Sequence, residues 1–131
     1  MTLLAGLRVV EGSAFVAAPL GGLTLAQLGA DVIRFDTVGG GLDYLRWPVT
    51  DRGVSLYWAG LNKGKRSLAL ALDKPEGREI ARAIAAAPGP GAGIVLTNLP
   101  PLRGLDFTSL KAGREDLIML RLVGNRDGLR Q

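Results

Sequence analysis

The chain has 131 residues, 47% of them apolar, with sixteen Lys and Arg against twelve Asp and Glu for a net charge of +4. That length and apolarity suit one ordinary domain with a real core and exclude a disordered segment. Cys and His are both absent, which removes disulfides, thiolate metal sites and imidazole bases. Any chemistry must rest on carboxylates, hydroxyls, Lys, Arg or backbone dipoles. The start, MTLLAGLRVVEG, has no basic region followed by a long apolar core, so it does not read as a signal peptide. Charges, Gly or Pro interrupt every apolar run, so no membrane span is predicted and a cytoplasmic protein is expected. The positive balance suits an anionic partner. Aromatics make up only 5% and the basic residues are scattered, so a phosphorylated cofactor fits better than nucleic acid.

Taken in order, Leu7, Val9 and Val10 predict a short strand that stops at Glu11-Gly12. Residues 19–28, rich in Ala and Leu, predict a helix broken by Gly29. Val32, Ile33 and Phe35 predict a second strand ending at Asp36. Strand, helix and strand make a right-handed βαβ unit and hence a parallel sheet. Residues 37–53 carry three consecutive glycines and a Trp-Pro pair and read as a long loop, an ordered lid over something. Residues 54–61 are a short helix or turn, 62–66 a polar loop and 67–72 a strand. Asp73 or Lys74 then caps a helix with Pro75 in its first turn and Glu76 at the positive dipole end. Ile80, Ala83, Ile84 and Ala87 are expected on its buried face. Pro88-Gly89-Pro90-Gly91 ends it.

Residues 93–97 (GIVLT) predict a buried parallel strand, followed by a loop over 98–104 and at most a short helix over 108–113. Residues 117–123 predict a further strand and 124–128 another strand-end loop. The fold class that follows is α/β, a Rossmann-like doubly wound parallel sheet. No terminal helix covers the last strand, which predicts an incomplete N-terminal part of a larger domain. Ligands of such sheets bind beyond the strand carboxyl ends, here around residues 12–19 and 36–41.

Candidate site residues lie mainly in those loops. The loop after the first strand is not GxGxxG. Its small residues either let a ligand approach the backbone at a helix N-terminus or merely let helix and strand pack closely. Asp36, at the end of the second strand, raises a rival reading, a nicotinamide-dinucleotide oxidoreductase. Lys63, Lys65 and Arg66 form either a phosphate clamp or a solvated charge run, and Arg103 and Arg126 in strand-end loops could join them. Asn98 either caps a strand end or meets a ligand. Asp43, Asp106 and Asp127 read as turn residues, and no spacing brings two carboxylates together. No catalytic or metal-binding residue is assigned.

These residues resemble a family. Leu7-Arg8-Val9, Ala18-Pro19, LGADVIR, Asn62 with Lys65-Arg66-Ser67, Lys74-Pro75-Glu76-Gly77 and Thr97-Asn98 together are similar to the class III, formyl-CoA transferase-like CoA-transferases. EGSAFVAAPLGG, GLDYLRWPVT, WAGLNKGKRS and LVGNRDG look like signatures of the branch that moves CoA between the two carboxyl groups of mesaconate. The resemblance implies CoA or an acyl-CoA as substrate, no permanently bound cofactor, a second domain further along and an interlocked homodimer. It implies CoA contacts at Phe15 and Val16, at Thr37, at Leu70, Ala71, Leu72 and Asp73, at Asn98, Leu99 and Arg103, and at Val123 and Gly124. Thr37 and Val123 stand where formyl-CoA enzymes carry basic residues, so Lys65, Arg66 and Arg126 become candidates for the missing charge. The family's nucleophile, an aspartate that attacks the thioester, is expected beyond the loop matched by 123–128. The 131 residues alone are then expected to be inactive. A non-catalytic CoA-binding module is the remaining alternative.

Overall fold

The computed structural model describes residues 2–124. Five strands, β1 (Arg8–Gly12), β2 (Asp31–Thr37), β3 (Arg66–Leu70), β4 (Ile94–Thr97) and β5 (Ile118–Arg121), form one sheet in the order β3-β2-β1-β4-β5. Every pairing is parallel, as the first βαβ unit predicts. The order reverses between β1 and β4. The carboxyl ends of those two strands therefore diverge into separate loops and leave a crevice.

The crossover helices are α1 (Ala17–Gln27), α2 (Leu56–Leu61), α3 (Pro75–Ala85) and α4 (Phe107–Gly113). Helix α1 covers one face of the sheet, over Val9, Val32 and Leu96. Helices α3 and α4 cover the other, where Ala81, Ala85 and Leu110 meet Val10, Phe35, Leu70 and Val95. Neighbouring Val9 and Val10 thus serve opposite cores, which is why this strand reads as continuously apolar. Each such fully buried side chain contributes about 1.5–3 kcal/mol.

Helix α3 begins as predicted, with Lys74 at the N-cap, Pro75 in the first turn and Glu76 behind it. Its buried face is shifted, although Ile84 packs against the core as expected. Gly77, Ala81 and Ala85 face inward, whereas Ile80 is 48% exposed and Ala83 lies outside. The cause is a close backbone approach: a Cβ on Gly77 would sit 2.1 Å from the carbonyl oxygen of Ala71. The small-residue stripe lets the helix lie against the β3–α3 turn, and the larger Ile80 is turned away. Strand β3 also starts and ends earlier than predicted, leaving Ala71 and Leu72 in that turn.

The long segment between β2 and α2 is folded back onto the domain. Val49 and Ser55 form an isolated antiparallel bridge. The Ser55 hydroxyl donates to the Arg46 carbonyl and accepts from the Trp58 N–H, capping α2. Among the described residues no helix is long and apolar enough to cross a membrane, and no group of three His, Cys, Asp or Glu is placed to hold a metal ion.

Candidate functional site

The crevice is built on a row of side chains that changes character along the sheet. On the α1 face, Val9 and Val32 are apolar and buried. Alternation then places Glu11, Arg34 and Asp36 on that same face nearer the carboxyl ends. Glu11 and Arg34 are 0% and 1% exposed. Helix α1 makes room for the carboxylate with Gly22, whose Cβ would lie 2.5 Å from Glu11 Oε1.

The guanidinium of Arg34 is a hub. Its Nε and one terminal nitrogen donate to the two carboxylate oxygens of Asp36, both at 3.0 Å. It also donates to Asn62 Oδ1 at 2.9 Å, to Asp43 Oδ1 at 3.1 Å and to the Ser13 carbonyl at 3.0 Å. The Trp58 ring lies 5.4 Å from it. Burial works against the charge, but Asp36, Asp43 and Glu11 outweigh it and hold Arg34 protonated, above its ordinary range.

Lys65 completes the network. Its ammonium lies 2.7 Å from Glu11 Oε2 and donates to the Pro19 carbonyl at 2.8 Å and to Asn62 Oδ1 at 2.9 Å. Burial pushes the Glu11 carboxyl up, Lys65 opposing it. Burial likewise pulls the Lys65 ammonium down, with Glu11 opposing. Three carboxylates, Glu11, Asp36 and Asp43, thus face two cations, Arg34 and Lys65, within the cluster.

Several expectations change here. Lys65 has three N–H donors, and Glu11, Pro19 and Asn62 take all of them, so it is a buried structural cation instead of a phosphate clamp. Arg66 lies at the amino end of β3, where it pairs with Asp31 at 2.7 Å. That is the opposite edge of the sheet from the crevice. Asp43 lies in a turn as expected, but it is 1% exposed and bound to Arg34. Asp36 and Asp43, which spacing did not bring together, share one guanidinium. Asp36 is occupied there and not held out for a ribose. Asp106 does act locally, accepting from Ser109 N at 3.0 Å as the N-cap of α4.

The other residues expected to meet CoA lie along the carboxyl edge. Phe15 and Val16 are exposed after β1, at 40% and 46%. Thr37 closes β2 and is exposed. Leu70 closes β3 and is buried, Ala71 and Leu72 are half-buried, and Asp73 is exposed. Asn98 and Leu99 follow β4, and Val123 and Gly124 follow β5. Arg103 is exposed in the β4–α4 loop and has no ion-pair partner among the described residues. Lys74, after β3, and Arg121, at the end of β5, are likewise exposed and without an ion-pair partner among the described residues. Arg126 and Asp127 lie outside the described residues.

Asn98 joins the two diverging loops. Its Oδ1 accepts from Ala14 N at 2.9 Å and its Nδ2 donates to Ala14 O at 2.7 Å. Beside it, a cavity of about 290 Å³ opens on the α3/α4 face, walled by Leu99, Pro100, Leu105, Phe107, Leu110 and Met119. Sequence reasoning missed this cavity and the Glu11–Arg34–Asp43–Lys65 network. The available signal was a charged residue adjoining the apolar run of each of the first two strands, Glu11 after Val9-Val10 and Arg34 between Ile33 and Phe35.

A five-stranded parallel sheet with a crevice at its strand-order reversal defines a ligand-binding α/β domain of the doubly wound kind. The chain belongs to CoA-transferase family III, which it matches over residues 4–126. It is 64% identical to the 2-methylfumaryl-CoA isomerase of Chloroflexus aurantiacus, over 96% of this chain and 31% of that protein. To the succinate–glutarate CoA-transferase of Agrobacterium fabrum it is 33% identical, over 92% and 32%. The crystal structure of a CaiB/BaiF family protein from Brucella suis superimposes with a TM-score of 0.80 at 36% identity, covering 94% of this chain and 34% of that one. The chain therefore spans about a third of the length of these relatives. The family match and the pairing of Asp36 with Arg34 set aside the nicotinamide reading.

Proposed function

We propose that this chain forms the CoA-binding sheet of a class III CoA-transferase that moves CoA between the two carboxyl groups of 2-methylfumarate (mesaconate). The observation that carries this reading is the 64% identity to an isomerase of that name, sustained over 96% of the chain. CoA then lies across the carboxyl edge of the sheet. It meets Phe15 and Val16, Thr37, the turn of Leu70, Ala71, Leu72 and Asp73, then Asn98, Leu99 and Arg103, and finally Val123 and Gly124. Arg103, the cationic member of these expected contacts, meets a CoA phosphate, since Lys65 and Arg66 are engaged elsewhere. The three carboxylates beside the crevice are bound to Arg34 or Lys65, and the resemblance implies a nucleophile further along than the loop at 123–128.

In the reaction that the resemblance implies, an aspartate attacks the thioester carbonyl and CoA thiolate leaves, giving a mixed anhydride. The thiolate attacks the aspartyl carbonyl and frees the acyl carboxylate. The other carboxylate of the same acid then attacks the aspartyl-CoA thioester, and CoA is passed back to it. The complete protein is read as an interlocked homodimer acting in the cytoplasm, with no permanent cofactor.

The test is to incubate the complete gene product with 2-methylfumaryl-CoA and no added acid, and to separate the acyl-CoA isomers. Accumulation of the isomer carrying CoA on the other carboxyl is expected. Turnover only after a second carboxylic acid is added would make it an intermolecular transferase. CoA binding without any turnover would leave a binding module.

A further inference from the structure

The loop expected to meet CoA is held in an unusual way. Two successive peptide units, 13–14 and 14–15, have both their N–H and C=O groups bonded to side chains from other parts of the fold. Arg34 donates to Ser13 O, Asn98 bridges Ala14 N and O, and Asp43 Oδ2 accepts from Phe15 N at 2.9 Å. Phe15 has φ +65°, the one described non-glycine residue with positive φ. A bulky residue adopts that conformation only where its surroundings impose it. The Phe15 ring is also gripped, since the Arg46 guanidinium lies 5.4 Å from it and 4.4 Å from the Tyr57 ring. Asp43 and Arg46 both belong to the segment between β2 and α2.

We infer that Arg34 and Asp43 are positioning residues for the acyl-CoA site: through the buried guanidinium–carboxylate pair they lock residues 13–16 at the mouth of the crevice. The segment around Asp43 is then a brace fixed to the domain, not a lid that rides on the ligand. This inference rests on the CoA reading above and goes beyond it by assigning affinity to residues that do not touch the ligand. The lock raises affinity by removing the loop's freedom before binding, which is preorganisation. Asn98 holds Ala14 from the β4 side, Asp43 holds the N–H of Phe15, and Arg34 holds both Ser13 O and the Asp43 carboxylate.

The experiment uses the complete gene product, titrated calorimetrically with free CoA and assayed with 2-methylfumaryl-CoA. Asp43→Ala removes the acceptor of Phe15 N–H and leaves Arg34 with Asp36 and Asn62. Because a hydrogen bond to a charged group is lost, Kd for CoA and KM should both rise about tenfold. Amide exchange of residues 13–16 should quicken while the strands stay protected. Asp43→Asn keeps one acceptor, for Phe15 N–H, but turns its amide N–H toward Arg34, so it should recover part of the affinity. A purely structural role would lower the folded fraction, and so kcat, at unchanged KM. Arg34→Lys retains a buried cation but lacks the fork that reaches Ser13 O and Asp43 together. It serves as the second probe should Asp43→Ala not fold, and the same rise in KM is expected of it. Unchanged Kd and KM in the folded variants, or equal losses in Asp43→Ala and Asp43→Asn, would overturn the inference. A parent protein that binds no CoA overturns the functional reading itself. That failure is seen before any variant is made, and the substrate part of the inference falls with it.

Discussion

Replacing Lys65 with Met tests whether this lysine serves the fold or the ligand. Its side chain is 2% exposed and its partner Glu11 is 0% exposed, so the methionine fills similar volume while Glu11 loses its counter-ion. Two further hydrogen bonds, to Pro19 O and Asn62 Oδ1, go with it. Removing one member of a buried ion pair costs about 3–5 kcal/mol, a large part of the stability of an ordinary domain. The cost depends on pH in a defined direction. Glu11 already has its carboxyl raised above the ordinary 4.5 by burial, and Lys65 is the main group opposing that. Without Lys65 the folded-state value rises further. Below the unfolded value Glu11 is protonated in both states and contributes no penalty. As pH rises from there through the raised folded value, the folded state alone resists ionisation and stability is lost. Lys65→Met should therefore be most destabilised near neutrality and recover as pH falls toward 4.5. Equilibrium urea unfolding across that range, followed by tryptophan fluorescence, measures it. The double variant Glu11→Gln with Lys65→Met should regain most of the loss, since no buried charge is left unpaired. A loss below about 1 kcal/mol, or a fall in CoA affinity at unchanged stability, would refute the argument and return Lys65 to the ligand.

Arg66→Gln breaks an ion pair whose partners are 62% and 36% exposed. It should cost less than about 1 kcal/mol and leave CoA affinity unchanged by calorimetry, whereas a tenfold weakening would place Arg66 on a phosphate. Gly77→Ala would normally stabilise a helix by about 1 kcal/mol. Here the new Cβ meets the Ala71 carbonyl at 2.1 Å, and backbone cannot swing aside. Urea unfolding should show a net loss of about 1–3 kcal/mol, and a stabilised variant would disprove the close approach.

The particular residues show how far local signals reach. A helix opening at Lys74, Pro75 and Glu76 is legible because Pro and the cap act within one turn. Strand alternation with helices, and so the parallel sheet and its ligand edge, is legible for the same reason: periodicity and turn chemistry are properties of neighbours in sequence. Asn98 was legible only as an alternative, cap or ligand, because its partner Ala14 lies 84 residues away. The spacing of large apolar residues points Ile80 inward because it does not register that two backbones touch at Gly77.

By itself, then, the sequence determined the α/β class, the order of its elements and the family, since each is written in short-range pattern or in motif order. Tertiary structure alone decided where the charges go. Lys65 reaches Glu11 across 54 positions and Arg34 reaches Asn62 across 28, and it is burial that turns these distant meetings into obligatory pairs. A charged residue in a loop and one in a dry crevice look alike in a sequence. They differ only in whether water or a counter-ion solvates them, and the packed sheet settles which.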